Sequence, residues 1–186
     1  MSDEEAATLR ARLDAFVGKP MSEEPGVAPD PVNVPMIRHW VDALDDQNPV
    51  YLDEDAAKRS RFEGLVAPPA MLQTWTMARP KIEGLAERGG APVRFGESPI
   101  TVLDEAGYTA TRATNSELEF ERYLRPGDRL ESRAVIESIS DEKKTALGVG
   151  YFVTWVTTYT DQQGEVVGRQ RFRVLKFKAA APEAQS

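Results

Sequence analysis

The chain has 186 residues, with 30 acidic against 23 basic side chains and a formal net charge of −7. That length supports one domain with its own core, and an acidic balance with scattered basic residues excludes nucleic acid or an anionic membrane as the main partner. Having no cysteine and a single histidine, the chain also lacks the means for a disulfide framework, a thiolate nucleophile or a histidine-based triad of the usual form.

The opening MSDEEAATLRARLDAFVG is acidic and amphipathic, where a signal peptide would be basic and then apolar. No apolar run reaches membrane-spanning length, so a cytoplasmic protein without membrane attachment is expected. From Pro35, which suits a helix start, Met36, Ile37, Trp40, Val41 and Leu44 recur at helical spacing. His39 lies about 130° from the centre of that stripe at roughly 100° per residue, facing solvent or a partner. Pro49 disfavours helical geometry at Asn48, so Asp46 and Tyr51 fall in a loop at the helix end. The acidic clusters SDEE and DEDAA fit helix starts and surface charge better than a metal site, and no metal is expected.

GLVAPPAMLQTWTMA places Met71, Trp75 and Ala78 on one face and carries few charges, which predicts a buried central α-helix. The span Arg79 to Ser116 is too long for an ordinary connection and reads as a flap or insertion over a site. Beyond it the period changes. Leu118 and Phe120 alternate with Glu117, Glu119 and Glu121, RPGD supplies a turn, and a strand follows from about Arg129 to Ile139. SDEKK is a polar turn. The odd positions Leu147 to Tyr159 predict a long half-buried strand, and DQQG returns it into EVVGRQRFRVLKF. Helices early and hairpin strands late argue for one α+β domain over residues 1–178 with an antiparallel sheet, followed by a tail or linker at 179–186.

DDQNPVYLDEDAAKRSRFEGLVAPPAM resembles the signature region of the MaoC-like, (R)-specific enoyl-CoA hydratases. Their motif runs Asp-x-Asn-Pro-aliphatic-His, then an acidic residue and a glycine-containing loop into a central helix. Asp46, Asn48, Pro49, Val50 and Asp53 match; Tyr51 stands where the motif has histidine. The resemblance implies a hot-dog fold, an antiparallel sheet wrapped around a central α-helix. It also implies water addition to an enoyl thioester by an Asp and a His sharing one water, with a coenzyme A thioester as substrate and no cofactor.

Tyrosine, with an ordinary pKa near 10, is a poor proton acceptor at neutral pH. Where the family has a backbone N–H for the thioester carbonyl, this chain has Pro68 and Pro69, which lack one. The likeness is greatest to non-catalytic subunits of heteromeric hydratases and dehydratases, above all the amino-terminal hydratase-like domain of a steroid side-chain hydratase. A zinc-ribbon and OB-type domain usually follows that domain, and the tail after Lys178 fits a boundary at that junction.

The expectation is therefore a pocket-forming subunit with no catalytic residue of its own. Asp46, Asn48 and Tyr51 are a degenerate motif, and Pro69, Ala70, Met71 and Trp75 are candidate substrate contacts. The partner is a small hot-dog subunit with intact Asp and His, in a heterodimer or α2β2 heterotetramer. The alternatives are a self-sufficient hydratase or dehydratase using Asp46 and Tyr51, a (3R)-hydroxyacyl dehydratase subunit of fatty or mycolic acid synthesis, and an acyl-CoA binding module without catalysis. Arg79, Lys81, Arg94 and Arg112 in the flap, and Arg169, Arg171 and Arg173 on the last strand, are cations from which the sequence selects no coenzyme A contact.

Overall fold

The computed structural model describes residues 2–77, 82–84, 86 and 96–179. Helix α1 (Asp3–Asp14) starts on a reciprocal cap, the Ser2 hydroxyl accepting from the Glu5 amide and the Glu5 carboxylate from the Ser2 amide. Its Leu9 and Leu13, one turn apart, are buried. After the short strand β1 (Gly26–Val27), helix α2 (Val34–Leu44) is capped by the Asn33 side chain, with Pro35 in its first turn. Ile37 and Val41 are buried and Trp40 is half-buried, but Met36 and Leu44 are exposed, so the apolar stripe is narrower than its spacing predicts. His39 is exposed.

Two short helices follow, α3 (Pro49–Leu52) and α4 (Glu54–Arg59), the second capped by Asp53 through the Asp55 and Ala56 amides. The central helix differs from expectation. It is a 3-10 helix of eight residues, Pro69–Thr76. Prolines at its entrance and β-branched Thr74 and Thr76 near its end suit a short, tightly wound segment better than a long α-helix.

The expected flap is also revised. Arg79, Lys81 and Arg94 lie outside the described residues, but the rest of that span contributes helix α5 (Pro99–Glu105) and the first half of strand β2 (Ala110–Phe120). The physical reason is a start signal at Ser98–Pro99: the Ser98 hydroxyl caps the Thr101 amide and Pro99 presets the first helical φ.

Strands β3 (Glu131–Ile139), β5 (Gly148–Thr160), β6 (Val166–Ala179) and β2 form an antiparallel sheet in the order β1-β3-β5-β6-β2. The polar segment expected only to turn also forms strand β4 (Lys143–Thr145), paired with the start of β5. Bulges between Ala113 and Asn115, Ile136 and Ser138, and Tyr159 and Thr160 bend the strands around the central helix, the hot-dog arrangement. Along β5 the predicted odd face, Tyr151, Val153, Trp155, Thr157 and Tyr159, is the one turned inward. Strand β2, by contrast, is exposed from Thr111 to Phe120 on both faces and, among the described residues, pairs only with β6.

The core has two parts. One joins α2, the motif segment and the central helix to Leu124, Leu130 and Tyr159; the other joins α1 and α5 to Ile136, Tyr151, Val153 and Val174. Between α5 and the sheet sits a fully buried lysine. The Lys176 ammonium donates to Asp104 Oδ1, to the Thr109 carbonyl at 3.1 Å and to Thr111 Oγ1 at 2.9 Å, so all three of its protons are used. Removing one partner of a buried pair costs about 3–5 kcal/mol, and Asp104, 34% exposed, puts this one at the lower end. Lys176→Ala is expected to destabilise the fold by about 3 kcal/mol in urea unfolding.

Candidate functional site

Helix α2 ends at Asp45 in the left-handed conformation (φ 52°), which turns the chain so that the Asp46 amide returns to the Val41 carbonyl at 2.9 Å. The Asp46 carboxylate accepts from the Asn48 amide at 3.0 Å, and Asn48 in turn caps α3 through the Val50 amide at 3.3 Å. Both polar residues of the motif therefore hold their own loop. Tyr51 is buried at 7% exposure, within the core formed by Val66, Met71 and Leu124. Burial pushes its hydroxyl above the usual value, nearby Tyr123 and Asp46 push in the same direction, and a hydrogen bond with Asn48 opposes them. The proton stays on Tyr51 throughout the neutral range.

From Val66 to the central helix few backbone donors are open. The Val66 amide bonds to the Val50 carbonyl, Ala67 to Leu124 and Met71 to Pro68, while Pro68 and Pro69 have no N–H. Among the described residues the Ala70 amide has no acceptor outside its own helix.

In a 3-10 helix residues three apart eclipse one another, so Ala70, Gln73 and Thr76 form one row. Gln73, Thr76 and Met77 open onto a groove of about 290 Å³ whose floor includes Tyr159, Thr157 and Gln170 of the inner sheet face. The Tyr159 hydroxyl donates to Gln170 Oε1 at 3.2 Å, and the Gln170 amide donates to Gln73 Oε1 at 3.3 Å and Ser116 Oγ at 3.0 Å. Burial raises the Tyr159 pKa to about 12. Of the four predicted contacts, Met71 and Trp75 are buried in the core, Pro69 is half-buried and Ala70 is exposed; none lines this groove. The Trp75 indole nitrogen is buried without a hydrogen-bond partner among the described residues. Gln73 and Thr76 escape an α-helical reading because that reading uses the wrong period; polar residues three apart beside Pro68-Pro69 are the signal for them.

The candidate cations separate as well. Arg169, Arg171 and Arg173 share the outer face of β6, where Arg169 pairs with Glu121, Arg171 with Glu117 and Glu137, and Arg173 with the Asn115 side chain. Arg112 is exposed on β2. No group of three or more His, Cys, Asp or Glu residues could hold a metal ion among the described residues. Within the same residues no helix is long and apolar enough to cross a membrane.

Residues 15–170 match the model of the FAS1-like dehydratase domain region. The chain belongs to that family. It is 50% identical over 174 residues to a probable enoyl-CoA hydratase alpha subunit of Thermomonospora curvata, covering 92% of this chain and 53% of the relative. To the 3-oxo-4,17-pregnadiene-20-carboxyl-CoA hydratase alpha subunit of Mycobacterium tuberculosis it is 41% identical over 163 residues, covering 84% of this chain and 48% of the relative. The chain thus spans about half the length of the curated relatives it matches. A chain of the ChsH1-ChsH2 complex from Mycobacterium tuberculosis superposes with a TM-score of 0.78 at 36% identity, over 97% of this chain and 95% of that one.

The state of Tyr51 can be measured directly. In a spectrophotometric titration, the difference between wild type and Tyr51→Phe is expected to show one phenol ionising above pH 10, because its folded pKa is raised. A phenol ionising below that point would contradict the buried, protonated hydroxyl described above.

Proposed function

We propose that this chain is the non-catalytic, pocket-forming subunit of a heteromeric enoyl-CoA hydratase acting on a steroid side-chain acyl-CoA in lipid or cholesterol breakdown. The observation that carries the reading is the state of the motif: Asp46 is spent on its own loop, and Tyr51, in the histidine position, is buried and protonated. Adding water to an α,β-unsaturated thioester needs a group to take a proton from water as its oxygen attacks the β-carbon, and a group to deliver one to the α-carbon. The addition is redox-neutral, so no cofactor is called for. In this proposal both groups come from a small hot-dog partner with intact Asp and His.

Two features favour a partner and a bulky acyl group. Among the described residues the eleven-residue strand β2 has one edge without a paired strand, with Leu118 and Phe120 exposed beside it. The short central helix opens the groove at Gln73 and Thr76, with a volume near the lower end of the roughly 300–1,000 Å³ usual for small-molecule sites. The relatives' names supply the substrate class. A heterodimer or α2β2 heterotetramer in the cytoplasm completes the proposal. A self-sufficient enzyme using Asp46 and Tyr51 is disfavoured, since Tyr51 is buried and keeps its proton, leaving Asp46 without a second group to share the proton transfers.

The deciding experiment is hydration of a steroid side-chain enoyl-CoA by the chain alone and after co-expression with such a partner. Activity is expected only in the mixture, and Tyr51→Phe there is expected to change kcat by less than about twofold, because it removes no proton-transfer step. Turnover by the chain alone would overturn the reading. Phe120→Asp is expected to abolish co-purification with the partner while leaving the isolated chain folded.

A further inference from the structure

A second groove lies at the other end of the central helix, between the 60–66 loop and the turn leading from β2 into β3. It measures about 520 Å³, and its walls include Arg61, Phe62, Val66, Tyr123 and Arg125. The loop is a fixed structure: the Ser60 hydroxyl donates to the Ala57 carbonyl at 2.6 Å and accepts from the Phe62 amide at 3.1 Å, and the Gly64 amide returns to Ala57 at 3.1 Å. Phe62 and Tyr123 meet with ring centroids 4.5 Å apart. The Arg61 guanidinium stands over this pair, 4.8 Å from the Phe62 centroid and 6.0 Å from that of Tyr123. Arg125 donates to the Phe62 carbonyl.

Arg10 and Arg12 of α1 and Arg169 and Arg171 of β6 pair with carboxylates, whereas among the described residues neither Arg61 nor Arg125 has an acidic partner. Asp128 also borders the groove, but its carboxylate is engaged by Arg122 at 2.7 Å and by the Arg125 amide at 2.9 Å. Arg122 is committed to Asp128 and Asp161. Arg61 thus stands over the aromatic pair and Arg125 beside it, both on the wall of the groove. A guanidinium stacked on a ring keeps its N–H donors in its own plane, free to take phosphate oxygens, while aromatic faces favour a flat base.

We infer that this groove binds the phosphorylated nucleotide end of the coenzyme A thioester, Arg61 and Arg125 holding phosphate and the Phe62–Tyr123 pair receiving the base. This rests on the hydratase reading and deepens it. Tyr123 joins the groove to the motif, being near enough to Tyr51 to raise its pKa. The grooves flank the two ends of a central helix about 16 Å long at roughly 2.0 Å per residue. A thioester with its nucleotide at Arg61 and its acyl body at Gln73 and Thr76 therefore spans the helix, passing the degenerate motif.

The test is calorimetric titration of the full chain, alone and co-purified with its partner, using coenzyme A, adenosine 3′,5′-bisphosphate and inorganic phosphate as probes. Coenzyme A and the bisphosphate are expected to compete for one site. Arg61→Glu and Arg125→Gln should each weaken coenzyme A about tenfold or more, and Phe62→Leu should weaken it less. Circular dichroism checks the fold of each variant, and Arg61→Glu, which breaks no hydrogen bond, separates binding from stability. Unchanged affinity in both arginine variants, or inorganic phosphate competing as well as the bisphosphate, overturns the site while leaving the hydratase reading intact. So does hydration by the complex with no binding by Arg61 or Arg125. Absence of both hydration and coenzyme A binding removes the functional reading itself.

Discussion

Leu72 of the central helix lies against Gly168 of β6 so closely that a β-carbon on residue 168 would stand 2.7 Å from the Leu72 side chain and 2.7 Å from the Glu119 carbonyl. This contact sets how near the helix approaches the sheet. It requires glycine at 168, brings the Gln73 row within hydrogen-bonding reach of Gln170, and fixes where β2 runs beside β6. The groove at Gln73 and Thr76 and the exposure of β2 both follow from a helix held this close and ending this early.

A second set of bonds shapes the opposite end. Asp161 accepts from the Gln163 and Glu165 amides and from Arg122, so the β5–β6 turn and the segment before β3 are joined through one carboxylate. The Arg122 guanidinium, then the backbone amides, hold the Asp161 pKa below the usual carboxylate range. A depressed folded-state pKa means stability that is present above the unfolded value and lost as pH falls through the folded one. The wall carrying Tyr123 and Arg125 thus belongs to a firmly tied part of the fold at neutral pH.

Much of this was legible in the sequence. The odd-numbered apolar face of β5 follows from strict alternation over a length no helix would show, and α2 follows from its spacing and its proline. The rest depended on information that is not local. Lys176 reads as one more surface cation in a basic strand, and only the arrival of Asp104 and Thr111 from elsewhere in the chain makes its burial tolerable. Leu118 and Phe120 alternate as a half-buried strand should, yet the helix that would cover them stops short. Within the site, Asp46 and Asn48 were visible both as motif letters and as turn residues; their hydrogen bonds favour the second role. Arg61, Phe62, Tyr123 and Arg125 meet across some sixty positions of chain, and no spacing rule announces them.

Strand β2 has a further consequence for the chain on its own. Its outer edge, unpaired among the described residues, presents backbone groups along eleven residues, enough to template a second strand and start an aggregate. Glu117 and Glu119 alternate along the outer face of that strand and Glu121 follows directly after its end; among the described residues Glu117 and Glu121 pair with arginines of β6. A second copy approaching antiparallel brings the same acidic row against this one. Self-association is thereby discouraged, while a neighbour carrying cations at matching intervals meets no such barrier.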